Sequence, residues 1–176
     1  DAVILAVSYD TALYAAREML DIPVVGMTEA AMLTSLMVGA SFGLVVFGTP
    51  WLYREHVAAL GLSARFAGLR SIERSAASVY SDPESVRAAV VGAAQELATE
   101  DGADVVILCG AAMAGMARQL QPKVDVPLLD GVSCAVPLCE TLVRMKLPPP
   151  GRGSFATPRG RKTAKLDPAL AARLAR

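Results

Sequence analysis

A strand, loop, helix and strand pattern occurs twice in this chain, and this repeat limits the possible folds more than any other sequence feature. One copy begins at Asp1 and the other at Asp104. Each copy opens with an acidic residue and a β-branched apolar run, continues through a small-residue loop to an Ala-Arg helix, and reaches a short Asp-x-Pro strand. Units of this kind cross over right-handed, which makes their strands parallel. The repeat therefore predicts two related α/β lobes, with helices on both faces of each apolar sheet.

The residues between the two copies extend the second lobe. Their patterns predict strands and helices in alternation, over residues 42–47, 50–60, 65–69 and 82–99. The second lobe thus begins about 60 residues before its own copy of the repeat. If the lobes are duplicates, we expect about 60 further residues, carrying two strand–helix units, to precede Asp1 in a longer protein.

Together these patterns predict an α/β fold of the flavodoxin-like, three-layer type. It has two pseudo-symmetric lobes with parallel sheets flanked by helices, and the first lobe is incomplete at its N-terminus. Residues 1–40 form the remainder of lobe one and residues 41–140 form lobe two. Residues 141–176 contain a helix end and, after three prolines, a basic strap that returns toward lobe one. A solvated tail is the alternative interpretation of the strap.

Charge and cysteine content exclude several functional classes. The 17 basic and 17 acidic side chains cancel, which argues against a general nucleic-acid binder. No apolar run reaches the roughly 18 residues of a membrane span. Three cysteines without a CxxC pair argue against a disulfide framework or a zinc site. We therefore expect no nucleic-acid or membrane partner, no metal, and a reducing, cytoplasmic location.

Parallel α/β sheets bind ligands beyond the carboxyl ends of their strands, so the loops at those ends form the candidate site. The loops after the first strand of each copy should face each other across a cleft, because the lobes are related. Facing loops can place an acid and a base on opposite sides of one carbon, as inversion of that carbon requires. The predicted substrate-binding residues lie in these loops and after the strand over residues 42–47: Ser8, Tyr9, Gly48, Thr49, Gly110 and Ala111.

Three residues in or near these loops are candidates for proton chemistry, and each has a structural alternative. Asp10 either orients the substrate or caps the helix that starts at Thr11. Glu29 is either a catalytic carboxylate or a favourable acid in the first turn of a helix. Cys109 is either a proton-carrying thiol or a small buried side chain at a strand end. The single histidine, His56, is predicted on a solvated helix face.

Several motifs, in order, resemble the aspartate/glutamate/hydantoin racemase superfamily, and its hydantoin racemase branch in particular. They are DAVILA, DIPVVGMTEAAM, EDGADVVIL, AGMA and VPLLDGV. The resemblance runs from Asp1 to about Leu147, and residues 153–158 are similar to the C-terminal segment of that branch. It implies a cofactor-independent enzyme that forms homo-oligomers and acts on a small molecule carrying a carboxylate or a carbonyl group.

The same resemblance implies two catalytic cysteines, one after each pseudo-equivalent strand, that act as acid and base. In register with Asp1 and Asp104, these two positions fall on Val7 and Gly110, whose side chains carry no proton to transfer. Cys109 comes one residue early, and a one-residue slip along a strand turns a side chain to the opposite face. Cys109 recovers the position only if the strand ends before it and the loop reorients it.

Three functions remain open from the sequence. The main prediction is an amino-acid or hydantoin-type racemase, which removes and returns a proton at a carbon next to a carbonyl group. The second is a single-thiol decarboxylase or isomerase of the same superfamily, in which Cys109 alone supplies the proton. The third is a binding paralogue that keeps the crevice and has no turnover.

Overall fold

The computed structural model describes residues 1–156, 160 and 162–175. The strands in this part of the chain are β1 (Val3–Leu5), β2 (Val24–Gly26), β3 (Phe42–Phe47), β4 (Phe66–Ile72), β5 (Val105–Leu108) and β6 (Leu128–Asp130). The helices there are α1 (Leu13–Met19), α2 (Met27–Ser35), α3 (Pro50–Ala59), α4 (Ser78–Ser81), α5 (Pro83–Thr99), α6 (Met116–Leu120), α7 (Gly131–Met145) and α8 (Pro168–Ala175). No helix of the described residues combines the length and the apolar character that crossing a membrane requires.

The described strands form two parallel sheets. β1 pairs with β2, with Val3 opposite Val24, and the larger sheet has the order β4, β3, β5, β6. The pairing of β5 with β6, in which Val106 lies opposite Leu128, repeats the pairing of β1 with β2. The prediction of two related lobes with parallel sheets is therefore confirmed.

Helices α2 and α7 pack against each other between the two sheets. Alternation along β3 builds two cores, because neighbouring side chains of a strand point to opposite faces. Leu44 joins the core that contains Ala31 of α2 and Ala135 of α7. The next residue, Val45, joins the core that contains Val90 of α5. The larger sheet is thus covered by helices on both faces, as its continuously apolar strands predict.

The two copies share backbone details beyond their sequence pattern. α1 starts after Ala12 in the left-handed conformation (φ 65°), and α6 starts after Gly115 in the same conformation (φ 77°). The first turns of α2 and α7 lie in contact, since a Cβ on Gly131 would be 2.9 Å from the carbonyl oxygen of Met27. Glycine at position 131 therefore allows the two central helices to meet at their N-termini.

The elements between the two copies of the repeat follow the sequence prediction, with β4 longer than predicted and the short helix α4 not predicted. Asp82 caps α5 by accepting a hydrogen bond from the backbone N–H of Ser85 at 3.4 Å, and Val86 is buried below it. The strand predicted over residues 65–69 continues to Ile72, because β4 pairs with β3 along the whole length of β3.

The segment after α7 touches lobe one. The ring of Phe155 stacks on Tyr14 of α1 with a centroid distance of 5.7 Å. The guanidinium of Arg17 lies 5.3 Å from the centroid of the same ring. Two residues of the predicted motif over 153–158, Thr157 and Pro158, lie outside the described residues. The division of the chain at residues 40 and 140, and the strap as a whole, stay predictions.

Candidate functional site

The loops that follow β1 and β5 face each other and form the candidate site. We call residues 6–12 loop one and residues 109–115 loop two. Gly110 has a φ of 108°, and a Cβ on this residue would lie 3.8 Å from Oγ of Ser8. Both loops leave the carboxyl ends of parallel strands, where ligands bind in folds of this type. The contact agrees with the facing loops expected from the repeat.

Loop one has a strained backbone. Tyr9, Asp10 and Ala12 have φ values of 63°, 50° and 65°. A side chain beyond glycine disfavours this left-handed region, so three such residues within four positions need compensating contacts. Asp10 supplies most of the hydrogen bonds that hold the loop.

The Asp10 side chain is buried at the first turn of α2. Its Oδ1 accepts the backbone N–H of Thr28 at 2.9 Å, and its Oδ2 accepts that of Glu29 at 2.7 Å. These amides are among those that a helix cannot satisfy itself, so Asp10 caps α2 from another part of the chain. The structure thereby corrects the alternative in which Asp10 caps the helix after Thr11.

Two further residues are adapted to the Asp10 carboxylate. A Cβ on Gly26 would lie 2.6 Å and 2.8 Å from its oxygens, so glycine leaves room for the cap. Nε2 of His56 lies 3.1 Å from Oδ2, and the His56 side chain is 12% exposed. Because a carboxylate only accepts hydrogen bonds, Nε2 carries the hydrogen. The prediction of a solvated His56 is wrong, because α3 packs against loop one and directs this side chain to Asp10.

Cys109 lies at the base of loop two and is 3% exposed. The assigned strand ends one residue earlier, but the N–H of Cys109 still donates to the carbonyl oxygen of Val45 at 2.8 Å. Its side chain therefore keeps the alternation of the strand and joins the same core as Ile107. Burial raises the pKa of the Cys109 thiol, and the nearby Asp10 carboxylate raises it further. The thiol is consequently protonated at neutral pH.

Tyr53 of α3 completes a buried layer below loop one. Its ring centroid lies 4.5 Å from that of Tyr9. Burial is the main reason that the pKa of Tyr53 is raised, followed by the Cys109 thiol. We call Asp10, Tyr53 and Cys109 the floor of the site, since none of them is more than 3% exposed. The floor therefore presents the hydrogen-bond-accepting Asp10 side chain and two groups, the Tyr53 hydroxyl and the Cys109 thiol, that are protonated at neutral pH.

Above the floor lies a rim that is open to solvent. We define the rim as Val7, Ser8, Gly110 and Ala111. Val7 is 42% exposed and has an ordinary extended backbone. Gly48 and Thr49 follow β3 at the same sheet edge as loop two, because β3 and β5 are paired in parallel. The rim therefore offers one hydroxyl and the backbone amides of loop two to a small polar molecule.

Glu29 takes part in the site through its backbone rather than its carboxylate. Its Oε2 forms an ion pair with Arg17 at 2.9 Å, and Arg17 also donates from Nε to the carbonyl oxygen of Val24 at 3.1 Å. The ion pair lines a mainly apolar cavity of about 240 Å³ between α2 and α7. The carboxylate is thus directed to that cavity, while the N–H of Glu29 helps to hold Asp10.

Sequence reasoning missed Tyr53 and His56 as parts of this site. Both lie on α3, three positions apart, and the contact from His56 to Asp10 joins residues 46 positions apart. The available signal was the spacing itself, because residues three apart share one face of a helix. Among the described residues, no group of three His, Cys, Asp or Glu side chains is arranged to hold a metal ion.

Sequence comparisons identify related proteins. A family model described as Asp/Glu/Hydantoin racemase matches residues 1–139. The hydantoin racemase of Paenarthrobacter aurescens is 34% identical over 149 residues, which cover 82% of this chain and 62% of that protein. This chain thus spans less than two thirds of the length of that relative.

Solved structures show the same fold. The crystal structure of allantoin racemase from Pseudomonas fluorescens matches 93% of this chain and 71% of its own, with a TM-score of 0.88 and 32% identity. Allantoin racemase from Klebsiella pneumoniae matches 99% of this chain and 71% of its own, with a TM-score of 0.86 and 29% identity. A crystal structure of arylmalonate decarboxylase, at 18% identity and a TM-score of 0.60 over 88% of this chain and 72% of its own, shares the fold alone.

Proposed function

Because the chain belongs to the Asp/Glu/hydantoin racemase family, we propose that the protein is a cofactor-independent racemase of the hydantoin type. The reaction removes and returns a proton at a carbon next to a carbonyl group, in the crevice between loop one and loop two. The observation that carries this proposal is that loop one and loop two lie next to each other, with Ser8 Oγ 3.8 Å from the place of a Cβ on Gly110. When the two loops separate, a carbon bound between them is approached from both lobes.

The substrate class follows from the groups of the rim. The Ser8 hydroxyl and the backbone amides of Gly110 and Ala111 are hydrogen-bond donors, which suit a carbonyl or carboxylate oxygen. Donors at that oxygen also stabilise the enolate-like intermediate that forms when the neighbouring carbon loses its proton. Val7 gives the same crevice an apolar wall. The substrate is thus a small molecule with a carbonyl or carboxylate group, such as a hydantoin.

Cys109 keeps the alternation of β5 and lies in the core, so it takes part in proton transfer in this proposal only after a movement of loop one that exposes its thiol to the substrate. The thiol must first ionise, and burial is the main cause of its raised pKa, so it ionises while loop one is open to admit the substrate. Loop one then closes before the proton is transferred. The thiolate then takes the substrate proton. The Ser8 hydroxyl gives a proton to the opposite face and is reprotonated from water. The number of protons on the substrate is unchanged, and its configuration is inverted.

A second candidate, the single-thiol decarboxylase, draws support from the protonated state of the floor. A thiol whose pKa is raised keeps its proton at neutral pH, so Cys109 is present in the form that a proton donor requires. Protonation of an enediolate after loss of carbon dioxide needs only such a donor on one face. The third candidate, a binding paralogue, draws support from the register count in the sequence, by which the resemblance puts the family's two cysteines at Val7 and Gly110.

Hydrogen exchange separates the three candidates. Single enantiomers of 5-substituted hydantoins, allantoin and amino acids are incubated with the protein in deuterium oxide, and proton NMR and circular dichroism follow the substrate carbon. If the protein is a racemase, the substrate carbon exchanges its proton for deuterium and the substrate sample loses its optical activity. Release of carbon dioxide from a malonate without racemisation supports the decarboxylase. Ligand binding without either reaction contradicts both enzymes and supports the binding protein.

Two cysteine variants test the role of the thiol. Cys109→Ala should lower the exchange rate at least 100-fold, which is about 2.7 kcal/mol in the barrier. Cys134→Ala is the matched control, because Cys134 of α7 is also a buried thiol, with an exposed fraction of 5%, and lies outside the site. Equal rates in wild type and Cys109→Ala would remove Cys109 from the mechanism.

Assembly and location are further parts of the proposal. Met37 and Trp51 are 85% and 61% exposed, which supports a homo-oligomer that covers them. Three free cysteines support a reducing, cytoplasmic location. Light scattering of the purified protein tests the first of these, and a mass of one chain would contradict it.

A further inference from the structure

Loop one closes the floor of the site from solvent. Cys109 and Tyr53 are 3% and 1% exposed, although the rim residues directly above them are accessible. The Tyr9 ring packs on Tyr53 with a centroid distance of 4.5 Å. A substrate therefore reaches the Cys109 thiol only when loop one moves.

The backbone of loop one favours such a movement. Tyr9, Asp10 and Ala12 all have positive φ, and each would relax toward the ordinary regions if its contacts were released. A loop that is strained in the closed state opens as soon as the contacts that compensate the strain are lost.

Asp10 holds loop one to both lobes. Its hydrogen bonds from Thr28 and Glu29 tie the loop to α2, which belongs to the first copy of the repeat. The bond from His56 is different, because α3 follows β3 of the larger sheet. It joins the loop to the opposite side of the crevice over a distance of 3.1 Å. His56 is therefore placed to control the opening of loop one relative to lobe two.

We propose that His56 is a positioning residue that latches loop one closed over Cys109, by donating its Nε2 hydrogen to the Asp10 carboxylate. Closure excludes water from the floor and places Ser8 opposite loop two. Release of the latch opens a path to the thiol. The catalytic consequence rests on the proposed function, but the latch itself does not depend on any activity.

Alkylation of the three cysteines tests the latch without a substrate. Iodoacetamide is added to the folded protein, and mass spectrometry of the peptides gives a separate rate for Cys109, Cys134 and Cys139. His56→Leu removes the donor and should raise the rate at Cys109 at least about tenfold, since one hydrogen bond to a charged group contributes somewhat more than the free energy of a tenfold change. The rates at the two cysteines of α7 should stay unchanged, which distinguishes opening of the loop from global unfolding.

Two more variants complete the design. His56→Gln keeps an N–H donor at the end of the side chain, so the Cys109 rate should return to within about threefold of wild type. Glu55→Gln alters the neighbouring, exposed residue of α3 and should leave all three rates unchanged. An unchanged Cys109 rate in His56→Leu would overturn the latch, and so would an equal rise at all three cysteines.

Activity adds a readout that is interpreted separately. If the wild-type protein exchanges substrate protons, His56→Leu should lower kcat more than it alters KM, and His56→Gln should restore kcat. If His56 had a purely structural role, kcat would fall in both His56→Leu and His56→Gln. Absence of exchange in the wild type would count against the proposed function, while the alkylation rates would still decide the latch.

Discussion

Gly26 is the position where one added carbon should disturb both stability and the candidate site. It has an ordinary backbone (φ −80°, ψ 133°), so alanine is not excluded by conformation. The obstacle is the Asp10 carboxylate, whose two oxygens lie 2.6 Å and 2.8 Å from the place of the new Cβ. The methyl group of Gly26→Ala therefore displaces the side chain that caps α2.

The expected cost is the sum of lost hydrogen bonds and local crowding. Asp10 accepts N–H groups from Thr28, Glu29 and His56, and hydrogen bonds to a charged group contribute about 1.5–3 kcal/mol each. Part of this is recovered when the displaced carboxylate meets water, whereas crowding adds about 1–3 kcal/mol. We expect Gly26→Ala to lower the free energy of unfolding by about 3–5 kcal/mol.

Urea denaturation of four proteins measures this effect: wild type, Gly26→Ala, Asp10→Ala and the double variant. If the methyl group acts through the carboxylate, Gly26→Ala costs less than about 1 kcal/mol once Asp10 is alanine, so the two changes are strongly coupled. Gly92→Ala is the matched control, because a Cβ at this helical position meets no atom within 4 Å and should stabilise by about 0.5–1 kcal/mol. Additive costs, or a loss below about 1 kcal/mol in Gly26→Ala alone, would refute the reasoning.

Three other properties can be checked with standard assays. Burial raises the pKa of Cys109, Cys134 and Cys139 above 9.0, so their protonated state stabilises the fold below that pH and this stability is lost as the pH rises. The free energy of unfolding should therefore fall between pH 8 and 10, by up to about 1.4 kcal/mol per unit and thiol, and Cys109→Ala should make the fall shallower in urea titrations. Gly110→Ala should cost about 1–2 kcal/mol in the same assay, because φ is 108°, although its Cβ meets only Ser8 Oγ at 3.8 Å; a neutral change would contradict this. Val7→Cys should place a thiol on the exposed rim that iodoacetamide modifies faster than any native cysteine, with mass spectrometry as the readout.

The repeat allowed the fold to be predicted, because each of its two copies shows the same pattern of strand, loop, helix and strand within a short segment of the chain. Apolar runs of strand length followed by helices define β1, β2, β5 and β6 without knowledge of distant contacts. The cap at Asp82 was equally local, since the carboxylate and the amide that it accepts are three residues apart. Where a contact is short in sequence, residue type and spacing were sufficient.

The site was harder to predict, because its contacts are long-range. Asp10 offers a plausible cap to the nearest helix, and nothing in its neighbourhood indicates that the free amides of α2 are closer in space. His56 looks solvated when only its helical neighbours are considered. Its partner lies in loop one, 46 residues away along the chain, and only the packing of α3 against loop one brings the two together.

The two halves of the repeat solve the same capping problem from opposite sides, and this difference bears on how the crevice works. In the second copy, Asp130 stands at the N-cap of α7 and accepts N–H groups from Ser133 and from Gly115 of loop two. In the first copy, the corresponding position is Gly26, and the carboxylate comes from Asp10 in loop one instead. Loop two is thus held through its backbone, with glycines at its positive φ values, and can remain fixed. Loop one is held through a side chain against its own strain, so it is the half of the crevice that can open.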